Sequence, residues 1–171
     1  MGGPRVKPLG RGRDDDALVL RRYRSGDHDA VWALHNLALA GTGAHLGDGA
    51  WDDDLHRVEA LYLEAGGEFL VGEAEGQVVA MGALQRKDDG TCALRRMRVA
   101  PSWQHRGYGS KVLGALEARA SELGYKRLVL DTTTAQEAAM AFYAAHGYTE
   151  TGQAELQGLT VVYFEKVLVP K

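Results

Sequence analysis

The sequence has one cysteine, Cys92, among 171 residues. A single thiol makes no internal disulfide, and such usage fits a reducing, cytoplasmic setting. The six histidines are scattered singly, and none stands at metal-ligand spacing from Cys92, so no metal is expected. No run is long and apolar enough to cross a bilayer, and no membrane attachment is expected. Charge of one sign is not in surplus either. A formal net charge of −3 argues against a nucleic-acid binder held by a broad basic field. Internal repeats are absent. The opening residues, MGGPRVKPLGRGRDDD, lack the apolar centre of a secretion signal. Residues 1–16 are therefore expected to be a flexible tail, and residues 17–171 a single domain.

What is present is ordinary globular composition, 45% hydrophobic and 25% charged. Residues 18–23 alternate as a first strand. Polar residues 25–29 open a helix in which Ala30, Val31, Leu34, Leu37 and Ala38 fall at helical spacing. GTGAHLGDG, residues 41–49, reads as a loop. A second helix is expected after Trp51, opened by Asp52, Asp53 and Asp54, with Leu55, Val58, Leu61 and Tyr62 as its apolar face. Strands follow at 69–74 and 77–85, joined at Glu75-Gly76, and a fourth at 92–99. In that fourth strand the apolar spacing is three and then two (Leu94, Met97, Val99), which predicts a β-bulge. A long helix at 107–123 buries Val112, Leu113, Leu116, Ala120 and Leu123, and Gly124 caps it. A fifth strand at 127–132, a helix at 136–145 and two strands around residues 152–158 complete the chain. The order predicts a mixed α/β sheet with helices on both faces and a right-handed parallel crossover through the long helix.

The junction VAPSWQHRGYGSKVLGALEARA, residues 99–120, turns a strand end into a helix start. Free N–H groups and the positive dipole end collect there. Gly107 and Gly109 let a ligand approach the main chain, so residues 104–110 can form a nest for a phosphate or pyrophosphate, with Arg106 and Lys111 adding charge. A plain strand-to-helix turn is the alternative that GxG alone leaves open. GYGSK is not a P-loop, and Val112 stands where the dinucleotide fingerprint needs its third glycine.

V-x-P-x-x-Q-x-x-G-x-G, residues 99–109, resembles the central motif of the GNAT superfamily of N-acetyltransferases. The block at 124–148, GYKRLVLDTTTAQEAAMAFYAAHGY, is similar to the family's next motif through Ala139, Phe142, Tyr143, Gly147 and Tyr148. The resemblance implies a mostly antiparallel sheet of six to seven strands whose fourth and fifth members splay apart. It implies acetyl-CoA as acyl donor. The pyrophosphate would lie on the loop amides of Gln104, His105, Arg106, Gly107, Tyr108, Gly109 and Ser110. Pantetheine would pair with the main chain of Met97 and Val99, and Gln136 would face it where relatives often carry Asn.

By the same resemblance, an amine attacks the thioester, the Met97 N–H stabilises the oxyanion and Tyr143 protonates the departing thiolate. A core role for Tyr143 is the alternative. Many relatives place a glutamate base where this chain has Ala93. Asp131, His45, a water chain or bulk solvent are the remaining bases. An alkylamine with pKa ~10 is only about one part in a thousand neutral at pH 7, so that proton matters. Arg96, Thr132 and His45 are candidates for contacting the acceptor.

Other features carry two readings each. Asp52 to Asp54 could attract a cationic acceptor or cap the second helix. One of Arg95, Arg96 and Arg98 could hold an acceptor carboxylate, or all three could face solvent. Trp51 and Tyr62 could line a cleft or pack, and Cys92 reads as a small core residue. A small-molecule amine is the expected acceptor, with a protein amine behind it. The rival is a non-catalytic acyl-CoA sensor of the same fold, and an unrelated nucleotide-binding enzyme stands third. A homodimer is compatible with the sequence, since two-fold homodimers are common.

Overall fold

The computed structural model describes residues 17–39 and 50–168, with the backbone alone at residues 39, 50 and 51. Strands β1 (Val19–Arg22), β2 (Glu68–Ala74), β3 (Gln77–Arg86), β4 (Thr91–Val99), β5 (Arg127–Thr133), β6 (Thr149–Leu156) and β7 (Leu159–Val167) form one sheet. Their spatial order is β1-β2-β3-β4-β5-β7-β6. Only β4 and β5 are parallel; the other neighbouring pairs are antiparallel. The parallel pair needs a long crossover, and helix α2 (Tyr108–Glu122) supplies it. Helix α1 (His28–Leu39) follows a 3-10 turn at Ser25–Asp27, and α3 (Glu137–Ala145) follows β5. The mixed, mostly antiparallel sheet is the one the sequence predicts.

The helices cover both faces. A Cβ on Gly82 of β3 would come within 2.8 Å of Val112 and Leu116 of α2, so that position faces α2. Its neighbours Met81 and Ala83 point the other way, by strand alternation, on the face that α1 covers. Both are fully buried. In α2, Val112, Leu113, Leu116 and Ala120 are buried as their spacing requires. Leu123 is not: it is the C-cap residue and is exposed. Leu37 near the end of α1 is exposed as well. Gly124, at φ 92°, closes α2, and Tyr125 N–H donates back to the Ala120 carbonyl at 3.0 Å.

Two local expectations are corrected. The segment after the aspartates is not an α-helix but a 3-10 stretch, Ala50–His56, followed by a π turn, Glu59–Leu63. Leu55, Val58 and Tyr62 are buried as their spacing requires, but Asp52 and Asp54 are buried too. At about 100° per residue a regular α-helix would set Asp52 and Val58 about 120° apart, so turns of other width are needed. The second correction concerns Gly152. It lies inside β6 at a register shift, not in the connecting turn. Gln157 and Gly158, both at positive φ, make that turn.

The predicted bulge in β4 is present. Met81 pairs with Arg98 and Ala83 with Arg95, so Gly82 alone opposes Arg96 and Met97. Arg96 takes a φ of 60° to allow it. Gly82 is forced by packing, since a Cβ would stand 2.6 Å from Met97 Sδ.

Candidate active site

The parallel ladder between β4 and β5 is short. Thr91, Cys92 and Ala93 pair with Arg127, Leu128 and Val129, and no pairing follows. Beyond that point Leu94 and Leu130 stand at the head of a cleft of about 740 Å³. The bulged end of β4, the end of β5 and the start of α3 wall it, with Ala38 of α1 on its rim. A smaller cavity of about 420 Å³ also touches Leu94, Arg95, Leu130 and Asp131. The two openings therefore meet where the strands part.

One end of the larger cleft reaches Gln104, in the loop that leads from β4 into α2. Gly107 is the N-cap residue, at φ 82°, and has no side chain to cap the helix. His105, at φ 64°, is also left-handed. Left-handed residues just ahead of the first helical amides are the backbone pattern that lets N–H groups converge at the positive dipole end. The loop is braced from its sides. Arg106 lies 4.7 Å over the Trp103 ring, which stacks on Tyr108. Ser110 Oγ meets His146 Nε2 at 2.9 Å, while His146 Nδ1 reaches the Phe142 carbonyl at 2.7 Å. Gln104 donates its side-chain amide to the Val99 carbonyl at 3.2 Å, fastening the loop to the end of β4. At Gly109 a Cβ would point at Phe142, 3.5 Å away, and at Val99, 3.9 Å away, both ordinary contacts.

Tyr143 of α3 lines the cleft at 8% exposure. Burial pushes its pKa up to about 12, with the positive charge of Arg98 opposing, so it keeps its proton. Thr132, buried, donates to Gln136 Oε1 at 2.6 Å, and Gln136 is the residue before α3. Asp131 is exposed on the wall shared by both openings. The structure thus gathers Met97, Val99, Gln104, Asp131, Thr132, Gln136 and Tyr143 around one cleft. His45 lies outside the described residues, as does the side chain of Trp51.

A charged network stands under the bulge. Arg96 Nε donates to Asp54 Oδ2 at 2.9 Å and Nη2 to Oδ1 at 2.5 Å, while Nη1 reaches Asp52 Oδ1 at 3.3 Å. His35 Nε2 meets the same Asp52 oxygen at 3.0 Å, and Tyr62 Oη donates to Asp54 at 2.5 Å. Burial opposes the Asp54 charge, but the Arg96 fork and the Tyr62 hydroxyl hold its carboxyl below the usual range. Burial drives His35 down to about 4, with Arg98 adding to the effect. His35 is therefore neutral, its Nε2–H on Asp52 and its buried Nδ1 without a partner among the described residues. Asp52 and Asp54 thus turn their carboxylates into this network, and Arg96 of β4 is not simply solvated. No sequence periodicity pointed to this network; the density of Arg and Asp in two separate segments was its only signal. Cys92 is a fully buried core residue whose thiol burial pushes up to about 12, far from the reactive range.

Among the described residues no group of three or more potential ligands could hold a metal ion, and no helix is long and apolar enough to cross a membrane.

Comparison with known proteins agrees with this geometry. The model of the acetyltransferase (GNAT) family matches residues 30–148. N-acetyltransferase 8F1 of Rattus norvegicus is 37% identical over 105 residues, 58% of this chain and 48% of that protein. N-acetylaspartate synthetase of Danio rerio is 36% identical over 119 residues, 66% of this chain and 42% of that protein. The chain thus spans about half the length of these two relatives. A GNAT-family acetyltransferase from Staphylococcus aureus Mu50 superposes with a TM-score of 0.82 at 20% identity, covering 90% of this chain and 100% of that one. The Salmonella typhimurium protein yncA, solved with its cofactor acetyl-CoA, gives a TM-score of 0.74 at 25% identity over 90% of this chain and 95% of that one.

Proposed function

The chain belongs to the GNAT acetyltransferase family, and from that premise we propose that it moves an acetyl group from acetyl-CoA directly to the amine of a small molecule. One observation carries the reading. The β4–β5 ladder stops after Ala93, and the gap opens into a cleft that extends to Gln104, in the loop leading to the uncapped start of α2. A thioester needs such a gap, and a pyrophosphate needs such a helix end.

In this reading the amides of residues 104–110 hold the pyrophosphate, with the Arg106 charge beside them. Pantetheine lies along the unpaired edge of β4 at Met97 and Val99, with Gln136 facing it. The amine nitrogen attacks the carbonyl carbon, and the Met97 N–H on the bulge stabilises the oxyanion. The C–S bond then breaks and the sulfur leaves as a thiolate. Tyr143, held protonated, gives it the proton. The surplus proton of the amine passes to Asp131, whose exposure lets it release the proton to solvent. Thr132 and Arg96 border the acceptor. Among the described residues that line the cleft no nucleophile is activated, which supports direct transfer over a covalent intermediate. A protein amine is the less favoured acceptor. The reading extends to a cytoplasmic location, supported by the lone free thiol. It also extends to a homodimer through the β6–β7 end of the sheet, supported by the exposed Leu156, Tyr163 and Val167.

The test is calorimetry of acetyl-CoA on the wild type and on Gly109→Trp, followed by thiol release with a panel of amines. Micromolar binding that the folded variant loses, with thiol release on adding an amine, is expected. No binding at millimolar acetyl-CoA would sink the proposal. Binding without transfer to any amine would instead favour the non-catalytic sensor.

A further inference from the structure

The β4 bulge brings three guanidinium groups to the cleft wall, and they are not equivalent. Arg95 donates to Gln85 Oε1 at 2.9 Å. Arg96 is locked on Asp52 and Asp54. Arg98 has one hydrogen-bond partner among the described residues: its Nη1 donates to the Met97 carbonyl at 2.8 Å. Its Nε is buried and has no hydrogen-bond partner. Among the described residues no acceptor meets the Nε–Nη2 edge. That edge is the side of a guanidinium that pairs with a planar carboxylate through two parallel hydrogen bonds.

The charge balance points the same way. Three arginines on β4 face two buried carboxylates, Asp52 and Asp54, and His35 is neutral. Among the described residues no carboxylate is within hydrogen-bond reach of Arg98, and a buried donor left unpaired is costly. Arg98 lines the same cleft as Tyr143, and the two are close enough for the Arg98 charge to act on the Tyr143 phenol. On the opposite wall stand Asp131 and Glu137, which suit an ammonium rather than a second carboxylate.

We infer that the acceptor amine carries a carboxylate, and that the Nε–Nη2 edge of Arg98 holds it while the amine nitrogen faces the thioester. The acceptor class is a small amino acid rather than a simple alkylamine or polyamine. This rests on the acetyl-transfer reading. Arg98 is the specificity-determining residue, and Arg96 neutralises the two acids beneath the bulge.

The experiment compares matched pairs: each common α-amino acid and a set of ω-amino acids against the decarboxylated amine and the primary amide of the same skeleton. Acetyl transfer is followed by thiol release, on the wild type, Arg98→Met and Arg98→Lys, with acetyl-CoA calorimetry on all three. The wild type should favour at least one acid over its matched amine and amide by about 10- to 100-fold in kcat/KM. Arg98→Met should shrink that ratio about tenfold or more, mainly through KM, and Arg98→Lys should retain part of it. Equal or better transfer to the amines, or transfer to none of the acids, overturns the inference. So does an unchanged ratio in a folded Arg98→Met. The wild-type ratio stands as a test even where a variant fails to fold. Failure of the wild type to bind acetyl-CoA is the separate result that removes the acetyl-transfer reading, and this inference with it.

Discussion

Arg96 and Asp54 face each other across 42 residues of sequence as a two-pronged pair, each side chain only 9% exposed. The pair fastens the bulge of β4 to the 3-10 stretch Ala50–His56, so the curvature of the cleft wall depends on an ion pair as well as on the ladder.

Arg96→Met should be strongly destabilising. It leaves Asp52 and Asp54 buried without their cation, which costs about 3–5 kcal/mol. A fall in the denaturant midpoint at unchanged m-value is the expected result. Replacing Asp54 by Leu in the same chain should recover part of the loss, because an apolar pair needs no counter-charge. A midpoint unmoved by Arg96→Met would mean that the network contributes nothing.

Stability should fall in mild acid through His35. Its folded pKa is about 4, lowered chiefly by burial, against ~6.5 when unfolded. The unfolded chain then takes up the proton first as pH drops. The contribution is complete above pH ~6.5 and is lost progressively toward pH 4. His35→Gln should flatten that part of the stability–pH curve while keeping a donor for Asp52. An equal slope in the variant would place the titration elsewhere.

Tyr143→Phe should act on the chemical step. The expected result is a kcat lower by about 100-fold, with acetyl-CoA affinity unchanged by calorimetry and the fold kept, because only the hydroxyl is removed. With its pKa near 12, Tyr143 should give the wild-type rate no falling alkaline limb across the working range. A Phe variant with undiminished kcat would return Tyr143 to a packing role.

Gly107 and Gly109 should respond differently to alanine. At Gly107 a Cβ meets nothing within 4 Å, but φ is 82°, so the cost is backbone strain of about 1 kcal/mol and a distorted helix start. Acetyl-CoA binding should weaken with it. At Gly109 the Cβ finds ordinary contacts at a helical position, and the change should be neutral or slightly stabilising to folding. Thermal melts and calorimetry on both variants test the contrast; the same strain at both would contradict the assigned geometry.

Local patterning by itself determined most of the secondary structure. Alternation placed the strands, helical spacing placed α1 and α2, and glycine marked the ends, because period and turn chemistry act over a few residues. The change of spacing at Leu94, Met97 and Val99 even announced the bulge that Arg96 and Met97 make opposite Gly82. The glycine loop and the second motif brought the cofactor side of the cleft into view for the same reason, since each is contiguous. Tertiary structure decided the rest. Asp52 and Asp54 could by sequence cap a helix or attract a cationic acceptor; in the fold they are buried on Arg96, far away in sequence, in a segment of 3-10 and π turns. Of three arginines within four positions, nothing local distinguished the one locked on acids from the one with an open edge. That difference is set by desolvation and by which partners the fold brings within hydrogen-bond reach, and neither is a property of neighbouring residues.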